Sequence, residues 1–191
     1  MTLRLSRARA ISDRVISELA QYCDKIEVAG SIRRERPNVH DIDIVCLPRK
    51  DGGREAIIDR VQQRCRIDKK GSELIRAIMA DNVQIDIWIA RHTTIEGDLL
   101  EQRTVPGNFG SVLLCRTGSK EHNIDLINHA KSINLTWHPH DGVMKNGRVI
   151  ASETEDEIFA ALKLKFIPVR YREPGRFSFS KWMRVGSKGS A

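Results

Sequence analysis

No Cys-x-x-Cys spacing occurs anywhere in the chain. Its four cysteines, Cys23, Cys46, Cys65 and Cys115, are scattered along 191 residues. That excludes a zinc knuckle or a redox pair, and the sequence reads as carrying reduced thiols. No apolar run is long enough to span a bilayer, and no signal peptide with an apolar centre opens the chain. Internal repeats and coiled-coil heptads are also missing. The His138-Pro139-His140 stretch has no partner ligands and reads as a turn rather than a metal site. What remains is an intracellular, soluble protein, a monomer, with room for one domain or two small lobes sharing a site.

The formal net charge is +7, which suits a polyanionic partner. The basic residues cluster at Arg33, Arg34 and Arg36, at Lys69 and Lys70, at Lys163 and Lys165, and from Arg170 to Lys188. Any one of these clusters could equally be a solvated face.

Within Gly30-Ser31-Ile32-Arg33-Arg34 and the following Asp41-Ile42-Asp43-Ile44, two carboxylates stand two residues apart. On a strand, positions i and i+2 face the same way, so Asp41 and Asp43 project together while Ile42 and Ile44 enter a core. Burying two adjacent carboxylates unpaired is costly, and a divalent cation resolves the cost. A second strand pattern, Ile85-Asp86-Ile87, brings a third carboxylate if the two strands are neighbours. Three carboxylates around one point suit two metal ions. Gly30-Ser31 is a turn opening towards a helix, which leaves backbone N–H groups free for an anion.

Periodicity predicts helices over residues 6–22, 54–65, 93–103 and 120–132, and another after Ser152. Residues 25–29, 41–47 and 83–90 read as strands, with one or two more between Arg66 and Ala80. The run Ser111 to Cys115 fits either a strand or a helix. Lys145-Asn146-Gly147 marks a hairpin.

Four segments in this order resemble a family X DNA polymerase of the polymerase-beta-like group, within the nucleotidyltransferase superfamily. They are Gly30-Ser31 through Asp41-Ile42-Asp43, Ile85-Asp86-Ile87, Arg116-Thr117-Gly118-Ser119, and Tyr171-Arg172-Glu173-Pro174. The resemblance covers about Ala10 to Pro174, and its last two segments, with Asn123, are the more specific. It implies an α+β fold: a nucleotidyltransferase palm of mixed β-sheet flanked by helices over residues 1–116, and a small α/β thumb or fingers lobe over 117–175. A basic tail, partly disordered, would follow over 176–191.

By the same resemblance, the activity is gap-filling, DNA-directed addition of deoxynucleotides to a primer 3′-hydroxyl. The partners are primer-template or gapped DNA and deoxynucleoside triphosphates, with two Mg²⁺ ions that Mn²⁺ can replace. Asp41 and Asp43 would bridge both ions, and Asp86 would bind one and accept the primer proton. Gly30, Ser31 and Arg34 would hold the triphosphate, with Arg33 more structural. Gly118 and Ser119 would lie by the sugar, and Asn123 would reach the base.

The chain departs from the family where an aromatic pair guards the sugar 2′ position, since Cys115 and Arg116 stand there. Lys120 replaces an acid near the base, and Ile127 an arginine that monitors the template. Only a short helix precedes Gly30, so no deoxyribose-phosphate lyase activity is expected. The alternative is a nucleotidyltransferase with another acceptor, such as an RNA end, a small molecule or a protein hydroxyl.

Overall fold

Alternating branched residues in Asp41-Ile42-Asp43-Ile44-Val45-Cys46-Leu47 set the layer structure of the protein. The computed structural model describes residues 2–97, 102–175 and 179–183. After a two-residue strand β1 (Leu3–Arg4), helix α1 (Leu5–Leu19) leads through a 3-10 turn into β2 (Cys23–Val28). A four-residue helix α2 (Gly30–Arg33) and the short β3 (Asn38–Val39) precede β4 (Asp41–Pro48) and α3 (Gly53–Gln62). Strands β5 (Arg66–Lys70), β6 (Leu74–Ile78) and β7 (Gln84–Ile89) complete a five-stranded sheet in the order β2-β4-β7-β6-β5. Only the β4–β7 pair is parallel, so the sheet is mixed.

One face of the sheet is apolar. Ile42, Ile44, Ile75, Ala77, Ile85 and Ile87 are buried there against Ala8 and Leu19 of α1 and Ile57, Ile58 and Val61 of α3. The other face is divided. Near the C-terminal ends of the strands, Val45 and Leu47 pack with Phe109, Val112 and Leu113 of α4 (Phe109–Thr117). Nearer the start of β4 that cover stops, and the face carries polar side chains instead.

Between β7 and α4 the structure differs from the helix that spacing predicts over 93–103. Residues there pair as an antiparallel hairpin of β8 (Thr94–Glu96) and β9 (Arg103–Val105). Each strand carries β-branched residues, Thr94 and Ile95 against Thr104 and Val105, and strand pairing suits these better than a helix. Ile95 is 70% exposed and gives a helix no face to bury. Leu99 and Leu100 lie outside the described residues. The Ser111 to Cys115 run is helical, since one side of α4 meets the sheet while Leu114 enters a second core.

That second core belongs to the C-terminal part. Helix α5 (Lys120–Ser132), the antiparallel strands β10 (Thr136–His138), β11 (Gly142–Lys145) and β12 (Arg148–Ala151), and α6 (Glu155–Ala161) surround Leu126, Trp137, Val143, Ile158, Phe159 and Leu162. Asn146 and Gly147 both have positive φ, the geometry that Asn-Gly provides for a two-residue hairpin. Thr154 and Glu157 form a reciprocal capping box at the start of α6. Of the C-terminal tail, 179–183 are described. Phe179–Trp182 form a short helix, α7, and Trp182 packs against Tyr171 with ring centroids 5.4 Å apart. Arg176, Arg184 and the terminal Gly/Ser stretch lie outside the described residues. The whole is mixed α+β, a five-stranded sheet with helices followed by a smaller region of helices and a three-stranded antiparallel sheet.

Candidate active site

The parallel register of β4 and β7 sets Asp43 directly beside Asp86. Asp41 lies two residues before Asp43 on the same face. One oxygen from each of the three carboxylates can be chosen so that all lie within 4.8 Å of one another. The face is the one α4 leaves open.

Each carboxylate is held differently. Asp86 is 3% exposed, and Arg76, its cross-strand neighbour on β6, donates to both its oxygens at 2.8 Å. Gln84 Nε2 adds a hydrogen bond at 3.2 Å. Asp43 accepts at Oδ1 from the Trp88 indole N–H at 3.1 Å. Its Oδ2 lies against Gly30, where a Cβ would come within 2.1 Å of it. Gly30 has φ +57°, so two independent constraints require glycine there.

Burial, with the adjacent charge of Asp41 and a smaller effect of Asp86, pushes the Asp43 carboxyl up to about 6 against the opposing pull of Trp88 and Arg116. Arg76 is spent on Asp86, so among the described residues no cation contacts Asp41 or Asp43 closely enough to offset that burial. Three hard oxygen donors in that state fit a divalent cation. A carboxylate has about four lone-pair sites, so the two bonds from Arg76 and the one from Gln84 leave Asp86 one site, on Oδ2, for a cation.

A cleft of about 480 Å³ opens from Asp41 and Asp43 towards the C-terminal part. Gly30, Ser31, Arg34, Cys115, Arg116, Gly118 and Asn123 line it, so the structure brings these sequence-predicted residues to one place. Ser31 Oγ is buried with no hydrogen-bond partner. Arg34 is tied by Nε to Glu173 at 2.8 Å and by its guanidinium to the Thr117 carbonyl. Gly118 has φ +68°, and a Cβ there would meet the Arg34 guanidinium at 3.2 Å. The Gly118–Ser119 peptide is cis. Asn123 donates to the Cys115 carbonyl at 2.8 Å.

Ser119 is placed elsewhere. Its hydroxyl caps α5 by accepting from His122 N, and its N–H bonds the Arg172 carbonyl. Arg33 turns away from the cleft and donates to both oxygens of Glu155, at 2.9 and 2.8 Å, and to Thr117 Oγ1 at 2.7 Å. Arg172, fully buried, bonds the same Glu155. Burial alone would raise the Glu155 carboxyl, but the two guanidinium groups outweigh it and hold it below the usual range.

Sequence reasoning missed Arg76 and Trp88. Trp88 stands two residues beyond Asp86, so strand alternation alone places it on the carboxylate face. Arg76 becomes visible only once β6 is registered against β7.

The family model for the DNA polymerase beta thumb matches residues 112–173. Over those residues the chain resembles the thumb of the family X polymerases. The matched region begins within α4, the helix that also roofs part of the sheet. A family X thumb implies nucleotidyl transfer with DNA and nucleotide substrates. No curated protein matches the chain. Among the described residues, no helix is long and apolar enough to cross a membrane.

Proposed function

We propose that this chain is a family X, DNA-directed DNA polymerase that adds deoxynucleotides to a primer 3′-hydroxyl and fills short gaps. The observation that carries the reading is the convergence of Asp41, Asp43 and Asp86 beside a cleft that holds Ser31, Arg34 and Asn123. The palm then spans residues 1–116 and the thumb or fingers lobe 117–175, acting as an intracellular monomer.

Asp41 and Asp43 hold two Mg²⁺ ions, or Mn²⁺, and Asp86 holds one of them. Bound there, the ions supply charge neutralisation for the phosphates and a lowered pKa for the attacking hydroxyl. Ser31 and Arg34 bind the triphosphate, and the unpartnered Ser31 hydroxyl is free to donate to it. Gly118 leaves space for the sugar, and Asn123, on the cleft wall, reads the base edge. Asp86 takes the primer hydroxyl proton, with Arg76 fixing its orientation.

Across the sheet, Asp43, Asp86, Arg76 and Lys69 form one register row on the open face. Strands are spaced by about 4.8 Å, so the row runs roughly 14 Å from carboxylate to lysine. Its cationic half suits a primer backbone phosphate.

With Cys115 and Arg116 in place of an aromatic pair, discrimination against ribonucleotides is weak. The test is extension of a labelled primer across a short gap with Mg²⁺ and each nucleotide in turn, wild type against Asp86→Ala. Incorporation opposite the complementary base alone, lost in the variant, supports the reading. No extension on any DNA favours another acceptor, and full activity in the variant overturns the carboxylate assignment.

A further inference from the structure

We propose that Trp88 is a positioning residue for the metal ligand Asp43, and that Arg116 and His140 lock it in place from the thumb side. The proposal rests on the metal-site reading above and assigns a role to residues outside the acidic trio.

Asp43 sits between two other carboxylates, Asp41 and Asp86, with one oxygen of each within 4.8 Å of the others. An unrestrained carboxylate there would rotate away from its neighbours. Two contacts stop it. The Trp88 N–H takes Oδ1, and the close Gly30 backbone confines Oδ2. One oxygen is thereby committed to the protein, and the carboxylate presents a fixed edge to a cation.

The indole is itself held. One edge packs on the apolar cluster beneath α4. The Arg116 guanidinium lies over its ring, 3.4 Å from the centroid. Such a contact is favourable for both partners, because the ring face carries partial negative charge. Arg116 is fixed in turn by its bond to His140 Nε2, 3.0 Å away. A guanidinium only donates, so Nε2 accepts and the His140 proton sits on Nδ1. Nδ1 faces Glu73 Oε2 at 3.5 Å. The His140 carbonyl is anchored by Arg91 and Asn108, so the turn that carries the imidazole is tied down too. A continuous chain of contacts thus runs from the β10–β11 turn to Oδ1 of Asp43.

Groups that orient metal ligands through a hydrogen bond typically contribute 10- to 100-fold in metal affinity. Loss of the indole N–H, with the ring retained, should therefore weaken the site about tenfold. The experiment is Mn²⁺ titration without DNA, followed by electron paramagnetic resonance of free Mn²⁺, on wild type, Trp88→Phe, Arg116→Met and His140→Ala. Circular dichroism checks that each is folded.

Trp88→Phe should raise the Mn²⁺ dissociation constant about tenfold. Arg116→Met and His140→Ala should raise it less, and should add nothing in the Trp88→Phe background. Mn²⁺ should quench indole emission in wild type and not in Trp88→Phe, because Trp137 sits in the second core and Trp182 packs on it. In turnover, the phenylalanine variant should need more metal at an unchanged KM for the nucleotide, with kcat restored by excess metal. Mn²⁺ affinity within twofold of wild type in Trp88→Phe overturns the proposal. If that variant does not fold, wild-type affinity in both Arg116→Met and His140→Ala overturns it instead. A wild type that takes up no Mn²⁺ overturns the metal site itself, and this proposal with it.

Discussion

Replacing Asp43 by asparagine should stabilise the metal-free protein while destroying its metal site. Asp43 has its carboxyl raised from 3.8 to about 6, first by burial and then by Asp41. A shift of about two units corresponds to roughly 3 kcal/mol at 1.36 kcal/mol per unit. The sign follows from linkage. A carboxyl with a raised folded pKa costs stability where it is ionised in both states, well above pH 6, and the cost fades as pH falls through 6 towards 3.8. Asparagine is neutral throughout and keeps an oxygen to accept from Trp88.

In EDTA at about pH 8, Asp43→Asn should therefore gain about 1–3 kcal/mol, the upper figure assuming full relief. For a chain of this length that is about 2–12 °C in Tm. At about pH 3, below the unfolded value of 3.8, the difference should vanish. Excess Mg²⁺ should raise the wild-type Tm by mass action and leave the variant unmoved. Urea unfolding under these three conditions is the assay. A variant no more stable than wild type at the higher pH, or equally favoured at the lower, refutes the electrostatic account.

Gly30→Ala places a Cβ 2.1 Å from Asp43 Oδ2 at a positive φ. It should displace that carboxylate and cut turnover by about two orders of magnitude, as lost positioning does; wild-type Mn²⁺ affinity in the variant would count against this. Glu155→Gln leaves Arg33 and the buried Arg172 without their shared counter-charge. It should cost about 3–5 kcal/mol in denaturant unfolding, and a loss below about 1 kcal/mol would show the pair to be dispensable. Burial, then the neighbouring Arg172, holds the His122 imidazole down to about 3. Its neutral form is stable in the fold and charges on unfolding, so its contribution is complete above 6.5 and lost as pH falls from there towards 3. Nitrogen-15 NMR should find that ring still neutral at about pH 4.5, and titration near 6.5 would refute its burial as a neutral group.

The acidic trio was legible because strand alternation is a local rule and all three members obey it. The cleft lining was legible in type, since Gly30, Ser31, Arg34 and Asn123 carry the resemblance in their own residues. The partners of those residues were not. Arg34 finds Glu173 across 139 positions, and Arg33 finds Glu155 across 122. No periodicity carries such distances; only the closing of α6 and the Tyr171-Arg172-Glu173 segment onto α2 creates them. Ser119 shows the reverse. The resemblance assigns it to the nucleotide, yet the following helix needs a cap and takes its hydroxyl. The 93–103 stretch misled because Ile95 with Leu99 and Leu100, at helical spacing, outweighed two short β-branched runs that have no partner until they meet each other.

Two adjacent arginines at the end of α2 grip the C-terminal part, Arg33 through Glu155 and Arg34 through Glu173. That makes the two halves of the molecule poor candidates for exchange. A chimaera joining this sheet to a foreign thumb would inherit two stranded cations at the seam unless both glutamates travelled with the graft. Recombination between relatives would then favour crossovers that keep residues 33 to 173 as a single inherited block.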